Sequence, residues 1–322
     1  MKPFGASAKG EDVHQISLSG GDLSLNLLTW GAVVQGLHLK GVDHPLTLGS
    51  SHLSDYEGTL RYHGSLIGPI ANRISNARVR LDGIMYELER NEHGQIHLHS
   101  GAQATQLQVW DLIDRADDAV TLGLHLPDGM CGLPGNRDIR VTFKITARAT
   151  LQMTVTGTTD AKTCMNFANH SYWNLDGSDT WAGHHLRVAA DHVLPGTTHD
   201  YPTGEIADVT DTPMDFRTGQ VVNPETHVFN QNFCVSDKRG PLQDVLWLTG
   251  KSGLQMILST TEPGVQIYDG RVPNRPGRGT YEGLAIEAQC WPDAPNNPNF
   301  PSIIVTPDAP YEQITTWRFR TT

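Results

Sequence analysis

"VTFKITARATLQMTV", residues 141–155, alternates with a period of two. Thr142 and Lys144 separate Val141, Phe143 and Ile145, while Gln152 and Thr154 separate Leu151, Met153 and Val155. Successive side chains of a strand point to opposite faces, so each run predicts a strand with one buried face. Leu23, Leu25 and Leu27, alternating with Ser24 and Asn26, repeat the pattern near the start. Turn signals punctuate the runs. "LDGI" (81–84) is an Asp-Gly hairpin between Val79 and Leu81 on one side and the residues from Met85 on the other. With 32 Gly and 19 Pro, the chain can be broken into many short strands. There is no capped apolar stripe at helical spacing, no repeat of fixed period and no low-complexity run. The Pro-rich "WPDAPNNPNFPS" (291–302) lies too near the C-terminus to divide two domains and reads as a long ordered loop. The expectation is one all-β domain over residues 1–322, a large antiparallel β-sandwich.

Composition narrows the function. A net charge of −11 lacks the basic footprint that nucleic acid requires. Cys131, Cys164, Cys234 and Cys290 form no CxxC pair, so reduced, buried thiols are expected rather than a zinc site. The N-terminal residues hold no apolar core of signal-peptide length, and no stretch approaches ~20 apolar residues. A soluble cytoplasmic protein with no membrane partner is expected.

Several segments carry groups that could do chemistry. In "GQIHLHSG" (94–101), an extended chain would put His97 and His99 on one face. A metal pair of that kind wants a third ligand close by, and "SGAQATQLQ" offers none, so no metal is expected. In "NFANHSYWNLDG" (166–177), an extended 167–173 puts Ala168, His170 and Tyr172 on one face, with Phe167, Ser171 and Trp173 on the other. Taken alone, a histidine beside an aromatic residue is an ordinary packed side chain. "GLAIEAQCWPDA" (283–294) places Glu287 and Gln289 on one face of an otherwise apolar strand. A carboxylate there is costly unless it is paired or used. "EPGVQIYDG" (262–270) sets Gln266 between Val265 and Ile267, and "IANRIS" (70–75) interrupts an apolar run with Asn72 and Arg73. No dinucleotide fingerprint, P-loop or ligand cluster is present, so no cofactor is expected.

Together, and in this order, these segments resemble the aldose 1-epimerase (galactose mutarotase) family. The likeness runs from "LLTWGAVVQGLHLKG" (27–41) through "IGPIANRI" (67–74), "LHSG" (98–101), "NHSYWNL" (169–175) and "LPGTTHDYPTGEI" (194–206). It continues through "EPGVQIYDG" and "IEAQCWPDA" to "FPSIIVTPDAPYEQITTWRF" (300–319). The resemblance implies a β-supersandwich whose broad concave face holds a sugar. It implies Glu287 as general base and His170 as general acid, with Asn72, Arg73, His99, Tyr172 and Gln266 contacting the sugar. Two positions depart from the family pattern. Leu98-His99-Ser100-Gly101 stands where the family has Leu-His-Gly-Gly, and Asn230 stands where it has an Asp. Asn keeps the shape of Asp but is neutral and adds a donor, so catalysis should survive while the preference for galactose need not.

The implied reaction, exchange of α and β anomers of a free aldose, suits these groups. Ring opening removes a proton from the anomeric hydroxyl while another reaches the ring oxygen, and two fixed groups do both at once. A carboxylate of pKa ~4.3 is ionised at neutral pH, and a neighbouring carboxylate favours the imidazolium of a histidine of pKa ~6.5. Arg73 would donate to the sugar or to the catalytic carboxylate. The alternatives are a hexose-6-phosphate 1-epimerase, with Arg271, Arg275 and Arg278 at the pocket rim, and a non-catalytic sugar-binding module. The partner is a monosaccharide, and the chain a monomer or homodimer.

Overall fold

The computed structural model describes residues 1–273 and 275–321. Asn274, in the arginine-bearing segment 271–279, and Thr322, the last residue of the expected domain, lie outside the described residues. Three antiparallel sheets dominate. The largest has nine strands, in spatial order Asp111–Arg115, Ala119–Leu126, Arg137–Ala147, Thr150–Thr159, Tyr311–Thr321, Leu254–Thr260, Gln243–Thr249, His185–Val188 and Gln220–Val221. A six-stranded sheet runs Tyr172–Trp173, Leu284–Gln289, Gly264–Tyr268, Asn230–Cys234, His192–Leu194 and Ala207–Asp208. Four sequential strands from Lys2 to Leu39 make the third. The only α-helix among the described residues is the single turn Leu53–Glu57, and no helix is long and apolar enough to cross a membrane.

Period two explains the packing. Val141 opposes Val155, Phe143 opposes Met153 and Ile145 opposes Leu151 across one ladder, so the apolar halves of both runs fall on a single face. That face joins Val265 and Ile286 of the six-stranded sheet and Leu18 and Leu25 of the four-stranded one in a shared hydrophobic core. Phe143 is fully buried there, and Phe143→Ala would cost roughly 3–5 kcal/mol. Asp82 and Gly83, both with positive φ, join Arg78–Leu81 to Ile84–Glu87 as the Asp-Gly signal predicts. The segment 291–302 is held down by the buried Trp291 and Phe300, whose rings meet edge to face at 5.1 Å.

Two parity expectations fail, for local reasons. Residues 167–173 are not one strand: Ala168–Asn169 pairs with Leu66–Ile67, whereas Tyr172–Trp173 pairs with Leu284–Ala285. The chain changes sheets at His170 and Ser171. There the Asn169 side-chain oxygen accepts from both the Ser171 N–H and its hydroxyl, which closes a local turn. Likewise His97 and His99 do not share a face. The strand ends at Leu98, and His99, Ser100 and Gly101 all take positive φ, which ends the alternation. His97 turns inward to the Glu89 carbonyl, 2.8 Å from Nδ1.

Candidate active site

The six-stranded sheet is apolar on its core face and polar on the other. Register sets the polar rows: Asn232, Gln266 and Glu287 stand opposite one another on three neighbouring strands. Two residues along, Asn230, Tyr268, Ala285 and Tyr172 form the next row on the same face. Gly270 ends the Gly264–Tyr268 strand at φ +69°, where a Cβ would lie 2.7 Å from the Gly283 carbonyl, so only glycine makes this turn. Gln266 and Glu287 of the first row, with Asn230, Tyr268 and Tyr172 of the second, floor a cavity of about 660 Å³. All eight residues singled out in the sequence line it: Glu287, His170, Asn72, Arg73, His99, Tyr172, Asn230 and Gln266.

At its base, His170 Nε2 lies 3.4 Å from Glu287 Oε1, and the two side chains are 5% and 2% exposed. The backbone of residues 64–65 holds His170 from both sides: the His170 N–H donates to the Ser65 carbonyl, and the Gly64 N–H donates to the His170 carbonyl. Among the described residues, His170 Nδ1 and Glu287 Oε2 have no hydrogen-bond partner. Burial pushes the Glu287 carboxyl up to about 8, against the opposing pull of Arg73. It pulls the His170 imidazole down to about 4. The sequence expectation of a carboxylate beside an imidazolium is thus reversed in the sugar-free pocket, because desolvation disfavours both charges. Between those values the couple holds one proton, and that proton belongs to the pair.

Arg73 does not reach Glu287 with its fork. Its Nε and one terminal nitrogen grip Glu92 at 2.7 and 2.9 Å, and Asp200 sits 3.9 Å away. At His99, the Asn72 backbone N–H donates to Nδ1 at 3.1 Å, so the ring proton resides on Nε2 and His99 is a fixed donor. This bears on metal binding, since ligand atoms of His99, His170 and Glu287 lie within 4.8 Å of one another. A metal-ligating histidine donates its second ring N–H to a partner. Here a donor already occupies that place, so the trio is not built as a metal centre. Gln266 Nε2 donates to Asn230 Oδ1 at 3.3 Å, which leaves the Asn230 amide hydrogens for the cavity.

The proposed phosphate rim does not assemble. Arg275 is bound to Glu282 at 2.6 Å, and Arg278 pairs with Asp179 and Glu282. Arg271 alone of the three lines the cavity, with its fork on the buried Asp269. Sequence reasoning missed Tyr62, Tyr268, Asp200, Arg61 and the brace Glu92. Tyr268 was within reach of the period-two rule, two residues beyond Gln266 on the same strand. The others come from loops, where no spacing marks which way a side chain points.

Known proteins place these observations in context. The family model described as Aldose 1-epimerase matches residues 14–318. Bovine galactose mutarotase is 31% identical over 335 residues, covering 98% of this chain and 96% of its own. The aldose 1-epimerase of Escherichia coli K12 is 28% identical, covering 92% and 91%. Among solved structures, an aldose epimerase homologue from C. elegans superposes with a TM-score of 0.89 at 28% identity, over 96% of this chain and 99% of its own. The galactose 1-epimerase of Lactobacillus acidophilus has the same fold, with a TM-score of 0.86 at 22% identity over 98% and 97%.

Proposed function

The chain belongs to the aldose 1-epimerase family of isomerases, and from that premise we propose that it interconverts the α and β anomers of a free aldose, with Glu287 and His170 as its acid–base couple. One observation carries the reading: a buried carboxyl and imidazole, 3.4 Å apart, face a cavity walled by polar groups. In the ring-opening step Glu287 takes the proton of the anomeric hydroxyl. His170 gives a proton to the ring oxygen, the C1–O5 bond breaks and C1 becomes a carbonyl. The couple is then neutral on both sides, the state that burial favours, so the open-chain aldehyde is matched by its surroundings. Rotation about C1–C2 and reclosure return both protons to their starting groups. The fixed donor His99, with Arg73, Asn72, Tyr172 and Gln266, orients the ring. Asn230 offers a donor where the family has a carboxylate, so a preference for galactose need not carry over to this chain.

The free sugar is preferred to a 6-phosphate because Arg275 and Arg278 are spent on other carboxylates. A pure binding module would have no use for a matched acid and base. Four buried, unbridged cysteines suit a cytoplasmic enzyme, acting as a monomer or homodimer. The test is polarimetry on freshly dissolved pure anomers of glucose, galactose, xylose and arabinose, with glucose 6-phosphate alongside. Faster decay of rotation with a free sugar is expected. Sugar binding without any acceleration, or activity on the phosphate above that on every free sugar, would overturn the reading.

A further inference from the structure

We infer that Tyr62 and Tyr172 favour the cationic form of His170 by setting two phenol rings against its imidazole, and that they are positioning residues for the proton transfer proposed above. The inferred role rests on that proposal; the ring geometry stands apart from it. Tyr62 approaches His170 with centroids 5.7 Å apart and planes inclined by 24°. For Tyr172 the values are 5.2 Å and 30°. Both lie within the ~6 Å over which an aromatic face attracts a cation; Tyr62 is stacked on the imidazole and Tyr172 is tilted against it. His99 meets it differently, with planes steeply inclined at 72° and centroids 5.5 Å apart.

Why this couple needs such help follows from its burial. The His170 side chain is only 5% exposed, so solvent does little to stabilise the imidazolium, and the acid step requires that form. Every neighbour matters here. From the strand Leu284–Gln289 comes Glu287, at 3.4 Å. Past Leu98 comes His99, neutral and donating from Nε2. From the turn at 60–65 come Tyr62 and His63, and Tyr172 follows His170 in its own segment. Arg73 stands near Glu287 and opposes a second cation, although its charge is largely met by Glu92. Of these neighbours, Glu287 and the two phenol rings favour the imidazolium.

His63 completes the arrangement. Its ring stacks on Tyr172 at 4.0 Å with planes 13° apart, so Tyr62, His170, Tyr172 and His63 form a run of four rings, each against the next. His63 is buried, and both desolvation and His170 keep it neutral. The run therefore carries one titrating imidazole in its midst, the one that meets the carboxyl.

The test reads the proton directly. With 13C-labelled histidine, the His170 resonance is identified by its loss in His170→Asn. It is then titrated by NMR in a Glu287→Gln background, which removes the coupled carboxyl. Tyr62, only partly buried, is the ring to change. Tyr62→Leu is expected to weaken proton binding at His170 about tenfold, and Tyr62→Phe, which keeps the face, to hold it within about twofold. An unmoved titration in Tyr62→Leu would overturn the inference. So would an equal fall in Tyr62→Phe, which would assign the effect to the hydroxyl. No sugar enters this measurement, so the titration keeps its meaning even if the proposed activity is absent. As a second reading with Glu287 in place, the acid limb of the kcat/KM pH profile, which reports His170, should move about one unit lower in Tyr62→Leu and stay in Tyr62→Phe, while the basic limb, which reports Glu287 beside a neutral imidazole, stays in both. A profile unmoved by the leucine counts against the inference.

Discussion

Glu287→Gln should cripple the enzyme and stabilise the protein, and the two effects have one cause. Glu287 is 2% exposed, and burial lifts its carboxyl to about 8. An unfolded chain would release that proton near pH ~4.3. Because the folded value is raised, the folded chain keeps a proton that the unfolded chain has lost. The stability that Glu287 contributes is intact below about pH 4.3 and drains away as the pH climbs to about 8. Within that window the slope is ~1.4 kcal/mol per pH unit, so roughly 2.7 kcal/mol is lost from pH 5 to pH 7. Glutamine keeps the shape, carries no charge and has no such slope. At ~2.1 cal/mol/K per residue the chain's unfolding entropy is ~0.7 kcal/mol/K, and the difference becomes ~4 °C. Melting curves of both proteins at pH 5, 6 and 7 should therefore diverge, with the variant gaining about 4 °C on the parent. His170 drifts the other way, losing stability as pH falls from its ordinary ~6.5 towards about 4, but does so in both proteins and cancels. Over the same range, catalysed mutarotation should fall by ~10²–10⁴. Parallel melting curves would refute the desolvation argument, and retained activity would refute the assignment of the base.

Three further outcomes are expected. His170→Asn should lower polarimetric turnover by ~10²–10⁴ while the protein still folds; wild-type turnover would move the acid role to another group. The pH profile of kcat/KM should be a bell that reports the couple, its acid limb displaced from ~6.5 towards about 4 and its basic limb rising towards about 8. An acid limb at or above ~6.5 would contradict the burial of His170. Asn230→Asp replaces the outward amide with an acceptor, and the ranking of glucose, galactose, xylose and arabinose should change; an unaltered ranking removes position 230 from specificity.

Alternation made most of the sheets legible, since Val141 to Val155 and Leu284 to Gln289 each obey it. The chemistry was legible where it lies on such strands: Glu287, Gln266 and Asn230 share a face because period and register put them there. Alternation failed where the backbone leaves the strand. His99 sits at φ +51° and His170 at a change of sheet, and neither direction follows from counting residues. Glu92 and Asp200 were invisible for the same reason, since each reaches Arg73 from a loop. The titration of the couple was misjudged because reference values describe groups in water, and a sequence does not reveal how much water a fold removes.

The strand Tyr311–Thr321 sits in the middle of the nine-stranded sheet, between Thr150–Thr159 and Leu254–Thr260. It leaves the ribosome after both neighbours, which until then present open edges to anything extended nearby. Closure must await a segment some 150 residues downstream of its first partner, so assembly is paced by a long-range encounter and the unpaired edges stay open for that interval. Cutting the chain before Tyr311 would split the wall behind the pocket into two aggregation-prone halves, although, among the described residues, none of the deleted side chains lines the cavity.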